Sequence, residues 1–346
     1  MRKYDVIIIG AGPGGLRCAE ILGKNNKKVL LLEKNSEIGP KICAGGLTRK
    51  AFKYLHIPDR LVEKRFQNIV FQSPKQRTKL EFGEDFAYTI EREKLGQWQL
   101  NKLQSLKSVD VETSVEVVKI GDEYIVTGYN EKIYFEKLVG ADGSNSVLRK
   151  HLKISSRLIG IAFHYLIPIK QCRNLSEIEV HFDSKLFSAW YSWIFPHREY
   201  VSVGYGCFPK VKQFSTARKN FLQWIKKTNI DTHGCQFQSF PINCDYKGFI
   251  FQNKYYLVGD AAGLASGFTG EGIFQAFTSG EEVAKKILDK NYRCKKIKEM
   301  LNERKIQHLM LVIVLLSGIF RNMIFEIVVF SVKSKFIART LLRILT

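Results

Sequence analysis

The sequence predicts a mixed α/β chain: a Rossmann-type nucleotide-binding domain, an antiparallel β-sheet inserted into it, and a C-terminal helical tail. Three observations carry this. Residues 4–33 read strand, glycine turn, helix, strand and acid in register. Alternation of period two fills residues 157–208, ahead of the next strong apolar strand at 255–258. Residues 306–346 are apolar and basic.

Tyr4, Val6, Ile7, Ile8 and Ile9 form a run that suits a strand buried on both faces. Gly10, Ala11, Gly12, Pro13, Gly14 and Gly15 follow. Gly10 permits the tight turn, Gly12 lets backbone N–H groups approach a pyrophosphate, and Gly15 lets helix and strand pack closely. The helix over residues 16–22 then points its positive dipole end at the phosphates. A second strand over 28–32 ends at Glu33, with Lys34 beyond it. A carboxylate there accepts from both hydroxyls of an adenosine ribose and repels a 2′-phosphate, so the turn is a poor NADP site.

The pattern continues with a glycine-rich loop over 37–47, a helix over 48–55, and a strand pair over 68–71 and 78–82 around the turn at Ser73 and Pro74. A helix over 91–103 buries Leu95, Trp98 and Leu103. Residues 109–118, 124–128 and 132–135 alternate like a small antiparallel layer, and 137–140 is a short strand ending in Ala141, Asp142 and Gly143. Strands are expected over 160–167, 178–182, 189–195 and 200–207, a helix over 214–227, a strand over 255–258 and a helix over 272–288. The nucleotide-binding elements are thus split: residues 1–66, 88–155 and 246–305 form one domain, and 67–87 with 156–245 a β-rich substrate domain. Residues 306–346 form C-terminal helices.

With 346 residues and 45% hydrophobic composition, the chain has ample material for a core. Its seven cysteines lack CxxC spacing, which implies neither a disulfide framework nor a metal site. The first strand starts almost at once, too short for a signal-peptide core, so a cytoplasmic protein is expected, peripheral at the inner face of the membrane. The net charge of +21 calls for a partner. Basic residues crowd 285–305, and Lys333, Lys335, Arg339 and Arg343 follow an apolar stretch interrupted by Arg321, Asn322 and Glu326. Two readings stay open here: amphipathic helices on an anionic membrane surface, or a helix packed on the protein's own core. Without a helix-turn-helix, zinc or RNP-type signature, nucleic acid is not the expected partner.

Three separated segments together resemble the FAD-binding signature of aromatic-hydroxylase-type flavoproteins: residues 10–15 with Glu33, residues 139–146, and residues 257–263. The resemblance implies a Rossmann-type FAD-binding domain in which Asp260 bonds the ribityl chain and Gly259 gives close backbone approach. Asp142 and Gly143 would lie near the pyrophosphate, Arg92 would support the cofactor, and Val115 would contact adenine. Tyr191, Ser192, Trp193, Ile194, Phe195 and Pro196 match the Y-x-W-x-F-P motif of the geranylgeranyl reductases. Gly270, Glu271, Gly272 and Ile273 are similar to that family's G-E-G-I stretch, and residues 40–47 resemble its P-x-x-x-C-G-G-G loop beside the flavin. That loop is one residue shorter here, with Ala44 in place of its first glycine, and Gly267 replaces a proline common in the family.

The resemblance implies reduction of C=C bonds of an isoprenoid or lipid substrate by hydride transfer from FADH₂, with Cys43, Tyr191 and Trp193 as candidate catalytic residues. Tyr191, Trp193 and Phe195 share one strand face and would line the pocket. Two alternatives stand beside it: a flavin monooxygenase using NAD(P)H and O₂, and a non-catalytic flavin-bound redox or interaction protein. A second G-x-G-x-x-G is missing, so the electron donor is open between NAD(P)H, ferredoxin and a similar partner. His164, His181 and His197 have no acid partner visible in the sequence, and Glu271 reads as a turn residue at a helix start.

Overall fold

A computed structural model describes residues 1–172, 174–208 and 214–334, the side chain of Phe214 excepted; Lys335, Arg339 and Arg343 of the basic tail lie outside the described residues. The main sheet runs Tyr255–Leu257, Lys132–Gly140, Lys3–Ile9, Val29–Leu32, Val109–Glu112, all parallel, with Ile250–Phe251 antiparallel at one edge. Its central strands are apolar without alternation because helices cover both faces, and Val29–Leu32 is buried along its whole length. Two expectations are corrected. Residues 109–112 belong to this parallel sheet, and Lys132–Gly140 is one strand. Its first half pairs with the hairpin of Val117–Ile120 and Tyr124–Thr127, and its second half enters the parallel sheet.

Helix Pro13–Lys24 starts with proline in its first turn, where a missing N–H costs nothing. It packs against helix Ile273–Leu288, at a crossing that only glycine permits. A Cβ on Gly280 would sit 2.2 Å from the Gly14 carbonyl oxygen, and one on Gly14 would sit 2.7 Å from that of Ala276. The last Rossmann helix therefore rests directly on the first.

The second sheet has seven strands in the order Phe237–Asn243, Ile159–Pro168, Tyr200–Cys207, Ser192–Pro196, Ile178–His181, Asn68–Gln72, Arg77–Glu81. Helix Phe214–Lys227 covers one face through Phe221 and Trp224. The edge strand Phe237–Asn243 escaped the sequence reading because Pro241 demotes such a run, and an edge is where a sheet tolerates proline. A three-stranded sheet, Gly46–Thr48, Ala87–Ile90 and Val62–Phe66, was also unforeseen. On the Ser192–Pro196 strand the indole of Trp193 lies over Gly204, and its Nε1 donates to Ser202 Oγ at 3.2 Å.

Helix Lys295–Leu316 crosses the 305/306 junction drawn from the sequence without a break. A 106° bend follows, then Arg321–Ser331. Among the described residues no single helix is long and apolar enough to cross a membrane. The polar residues that interrupt the apolar stretch all have hydrogen-bond partners. Arg321 donates to the carbonyls of Val314 and Leu315 at the bend, Asn322 accepts from Ser184 N–H, and Glu326 accepts from Ser73 Oγ and Lys75 N–H. Each helix thus packs one face on the body and leaves another exposed.

A Cβ at Gly204 would lie 2.1 Å from the Trp193 ring and 2.6 Å from the Phe163 carbonyl oxygen, so Gly204→Ala must displace the strand or the indole. The expected cost is about 1–3 kcal/mol of stability. Thermal denaturation checks this, and an unchanged Tm would contradict the packing.

Candidate active site

One cavity of about 560 Å³ joins the two sheets to the C-terminal helices, with walls overwhelmingly apolar. At one end it is bounded by Gly12, Pro13, Gly14, Ala141 and Gly143. Gly10 brings these together: at φ +99° its α-carbon rests on the Ala141 backbone, and a Cβ there would fall 2.6 Å from the Ala141 carbonyl oxygen. By contrast, a Cβ on Gly12 would meet nothing closer than 3.8 Å. Gly12 starts helix Pro13–Lys24 and Gly272 starts helix Ile273–Leu288; both line the cavity, and no side chain caps either start among the described residues. Two positive helix ends with unpaired donors therefore open on one space.

Asp260 lines the same space, accepting from Lys41 Nζ at 3.2 Å and Ser144 Oγ at 3.4 Å. Arg92, the first residue of helix Arg92–Asn101, also lines it, and its Nε is buried with no hydrogen-bond partner among the described residues. Gly143 borders the cavity, but the Asp142 carboxylate turns away to accept from Val147 N–H at 2.6 Å, starting the short helix Val147–His151. Burial raises its pKa. Glu33 sits at the end of its strand with the carboxylate accepting from Ala11 N–H at 2.9 Å and from both nitrogens of Asn35. Val115 donates its N–H to the Glu33 carbonyl and packs on the core beside it; neither it nor the exposed Lys34 borders the cavity. Gly259, Gly270, Gly272 and Ile273 all border it.

Tyr191, Trp193 and Phe195 line the middle of the cavity from one strand face. The Tyr191 hydroxyl donates to the Thr269 carbonyl, which ties the aromatic wall to the Gly270 turn, and burial raises its pKa. Cys43 faces the same space, its sulfur accepting from Gly45 N–H at 3.4 Å. What holds that loop is His197, immediately after the aromatic motif. Its Nε2 donates to the Ala44 carbonyl at 2.9 Å and its Nδ1 to the Glu63 carboxylate. With an acceptor at each nitrogen, the buried ring donates twice. Burial works to raise the Glu63 pKa, but the hydrogen bond and charge of His197 win and hold it below the carboxylate range. His181 likewise meets Glu179 at 2.8 Å. Two of the three histidines thus have acid partners: Glu63 was hidden by lying 134 residues from His197, whereas Glu179 stands two residues before His181 on the same strand. Glu271 is more than a turn residue, because it lines the cavity and burial pushes its carboxyl up to about 7 against the Gln275 hydrogen bond.

Residues 3–291 match the FAD binding domain family. A geranylgeranyl diphosphate reductase of Rhodobacter capsulatus is 26% identical over 298 residues, covering 82% of this chain and 74% of that one. A digeranylgeranylglycerophospholipid reductase of Methanosphaera stadtmanae is 28% identical over 331 residues, covering 86% and 82%. The crystal structure of a geranylgeranyl bacteriochlorophyll reductase-like protein from Thermoplasma acidophilum superposes with a TM-score of 0.78 at 20% identity, covering 96% of this chain and 92% of that one.

The residues present fit FAD. Uncapped helix starts suit a pyrophosphate, the space beside Gly12 is open, and Arg92 Nε offers a buried donor in want of an acceptor. Gly12→Val should leave the fold intact, since a Cβ there meets nothing closer than 3.8 Å, and yield a colourless protein; a yellow, FAD-loaded variant would contradict this placement. The clamp on the Cys43 loop gives a pH test. Because the folded Glu63 pKa lies below its ordinary value of 4.5, its contribution is full above that value and vanishes as pH falls through the folded one. The Tm advantage of the wild type over Glu63→Gln should therefore shrink on acidification below about pH 4.5; an advantage that grew would reverse the sign. The chain belongs to the FAD binding domain family, as an FAD-dependent oxidoreductase similar to the geranylgeranyl reductases.

Proposed function

We propose that this protein reduces isolated C=C bonds of an isoprenoid lipid. The observation that carries the reading is the cavity: one apolar space reaches from the glycine turn, past Cys43 and the aromatic strand, to the C-terminal helices. Such a space suits an extended hydrocarbon and excludes water from it. The names of the two relatives, both reductases of geranylgeranyl compounds, support the same substrate class.

Bound and reduced, FAD supplies hydride equivalents. Gly12, Gly14, Arg92, Gly143, Asp260 and Gly272 are the residues that would hold it, with Glu33 on the adenosine side. Tyr191, Trp193 and Phe195 hold the prenyl chain in register by shape alone, as an alkene offers no hydrogen bond. Saturating the bond takes one hydride and one proton, so a proton source must stand in an otherwise dry pocket. Glu271 meets that need, since burial keeps its carboxyl protonated up to about neutrality. Cys43, in the loop clamped by His197, adds a second proton-bearing group to the wall.

The test is anaerobic. Flavoprotein reduced with dithionite is mixed with prenyl diphosphates, prenyl quinones or prenyl ether lipids. The expected outcome is flavin reoxidation with a product heavier by two hydrogens; silence across all three classes would overturn the reading. Wild-type turnover should fall as pH rises through about 7, where Glu271 ionises. Glu271→Gln should bind FAD normally yet react about a hundredfold more slowly or worse, with that pH limb gone. A variant as fast as wild type would remove Glu271 from the mechanism.

A further inference from the structure

We propose that the outer face of the two C-terminal helices docks on an anionic lipid bilayer, and that the cavity receives its lipid sideways from that bilayer through a mouth between the helices. The second half rests on the lipid-reductase reading above; the docking does not.

Along Lys295–Leu316 the side chains of Ile306, Leu309, Ile313 and Leu316 are exposed, at steps of three and four that place them on one helical face. Beyond the bend the pattern resumes with Phe320, Met323, Ile327 and Phe330, and Ile319 stands at the corner. Leu316 is 80% exposed and Ile319 90%. Scattered apolar side chains on a surface need no explanation, but nine at helical spacing on two consecutive helices do. Within residues 306–332 the only charged side chains are Arg321, which donates to the Val314 and Leu315 carbonyls at the bend, and Glu326, which is bonded to Ser73 and Lys75 of the protein body. Charge returns at the two ends of the stripe, with exposed Lys305 before it and exposed Lys333 after it. In sequence, residues 321–346 carry five cations against one acid. An apolar face flanked by cations is complementary to the headgroups and acyl boundary of an anionic leaflet. A second copy meets this surface less well, because a twofold contact would set the same excess of cations against itself.

The opposite faces of these helices build the cavity. Met310, Ile313 and Val314 line it from the first helix, Ile324, Phe325 and Val328 from the second. Ile313 belongs to both surfaces, half exposed outside and lining the space within. The bend fixes the two helices 106° apart, held by Arg321 against the Val314 and Leu315 carbonyls and Ser188. A prenyl chain entering here passes from acyl chains to an apolar wall and never meets bulk water, which would oppose the transfer by about 0.8 kcal/mol per CH₂ exposed.

The full chain, without substrate, is floated with vesicles of phosphatidylglycerol and phosphatidylcholine, and with vesicles of phosphatidylcholine alone. Wild type should float with the anionic vesicles and partition more weakly to neutral ones. The double variant Leu316→Glu, Ile319→Glu changes only side chains that face outward. It should keep its FAD absorbance and its reaction with a detergent-dispersed prenyl substrate, while partition to anionic vesicles falls about tenfold or more and turnover of vesicle-embedded substrate falls with it. Wild type that stays in the subphase, or a double variant that floats unchanged, would overturn docking. So would a wild-type dimer in sedimentation that the double variant converts to a monomer, which would make the stripe a self-contact. Floating protein that reduces no prenyl lipid, dispersed or embedded, would strike the reductase reading and leave docking standing.

Discussion

Backbone touching backbone is the constraint on which this molecule depends. Three segments separated by more than a hundred residues must meet with no side chain between them. Gly10 rests on Ala141, and Gly14 takes the weight of Gly280. These contacts bring the start of the first helix, the end of the long central strand and the start of helix Ile273–Leu288 to one space. A buried arginine and a half-buried one then fix the third segment. Arg149 donates to the carbonyls of Ala261 and Asp245, and Arg304 to those of Gly263 and Cys244. A guanidinium held by several carbonyls is a rigid tie, although the buried Nε of Arg149 has no hydrogen-bond partner among the described residues. The Rossmann half is thus tied by Arg304 to the first of the C-terminal helices, which makes those helices part of the site.

What the sequence made legible was whatever depends on local spacing. The run from Val6 to Glu33 has strand, turn, helix and acid within one stretch, and each residue type has a local reason to be there. Tyr191, Trp193 and Phe195 were readable because a period of two is a property of any strand. Glu63 was not readable, because its only claim to notice is a partner 134 residues away. Lys41 was missed for a similar reason: a lysine in a glycine-rich loop is ordinarily solvated, and nothing local foretells Asp260 across the cavity. The split of Lys132–Gly140 into two strands came from its buried-and-exposed alternation giving way to continuous burial halfway along. That change is the mark of one strand leaving an antiparallel hairpin for a parallel sheet.

Glu271 illustrates a different gap. In sequence it stands between glycines before a helix, where an acid is expected to favour the helix dipole. In the structure the same residue borders an apolar cavity, and burial rather than the dipole governs its protonation. Position along the chain names the residue type that fits a turn, but only the surrounding walls determine the dielectric it experiences.

That dielectric links the substrate to the chemistry. A pocket able to hold an isoprenoid must be apolar over its length, and an apolar wall disfavours every charge it contains. Most ionisable groups near this space answer with a partner: Asp260 has Lys41, and Glu63 has His197. Glu271 has the neutral Gln275 amide as its hydrogen-bond partner, so it answers by holding its proton to about neutral pH. A water-filled pocket would lower that pKa and remove the acid; a fully paired one would do the same. In the proposed reduction, the requirement for a hydrocarbon slot and the requirement for a proton donor would therefore be met by one physical condition, the exclusion of water from the space between the aromatic strand and the Gly270 turn.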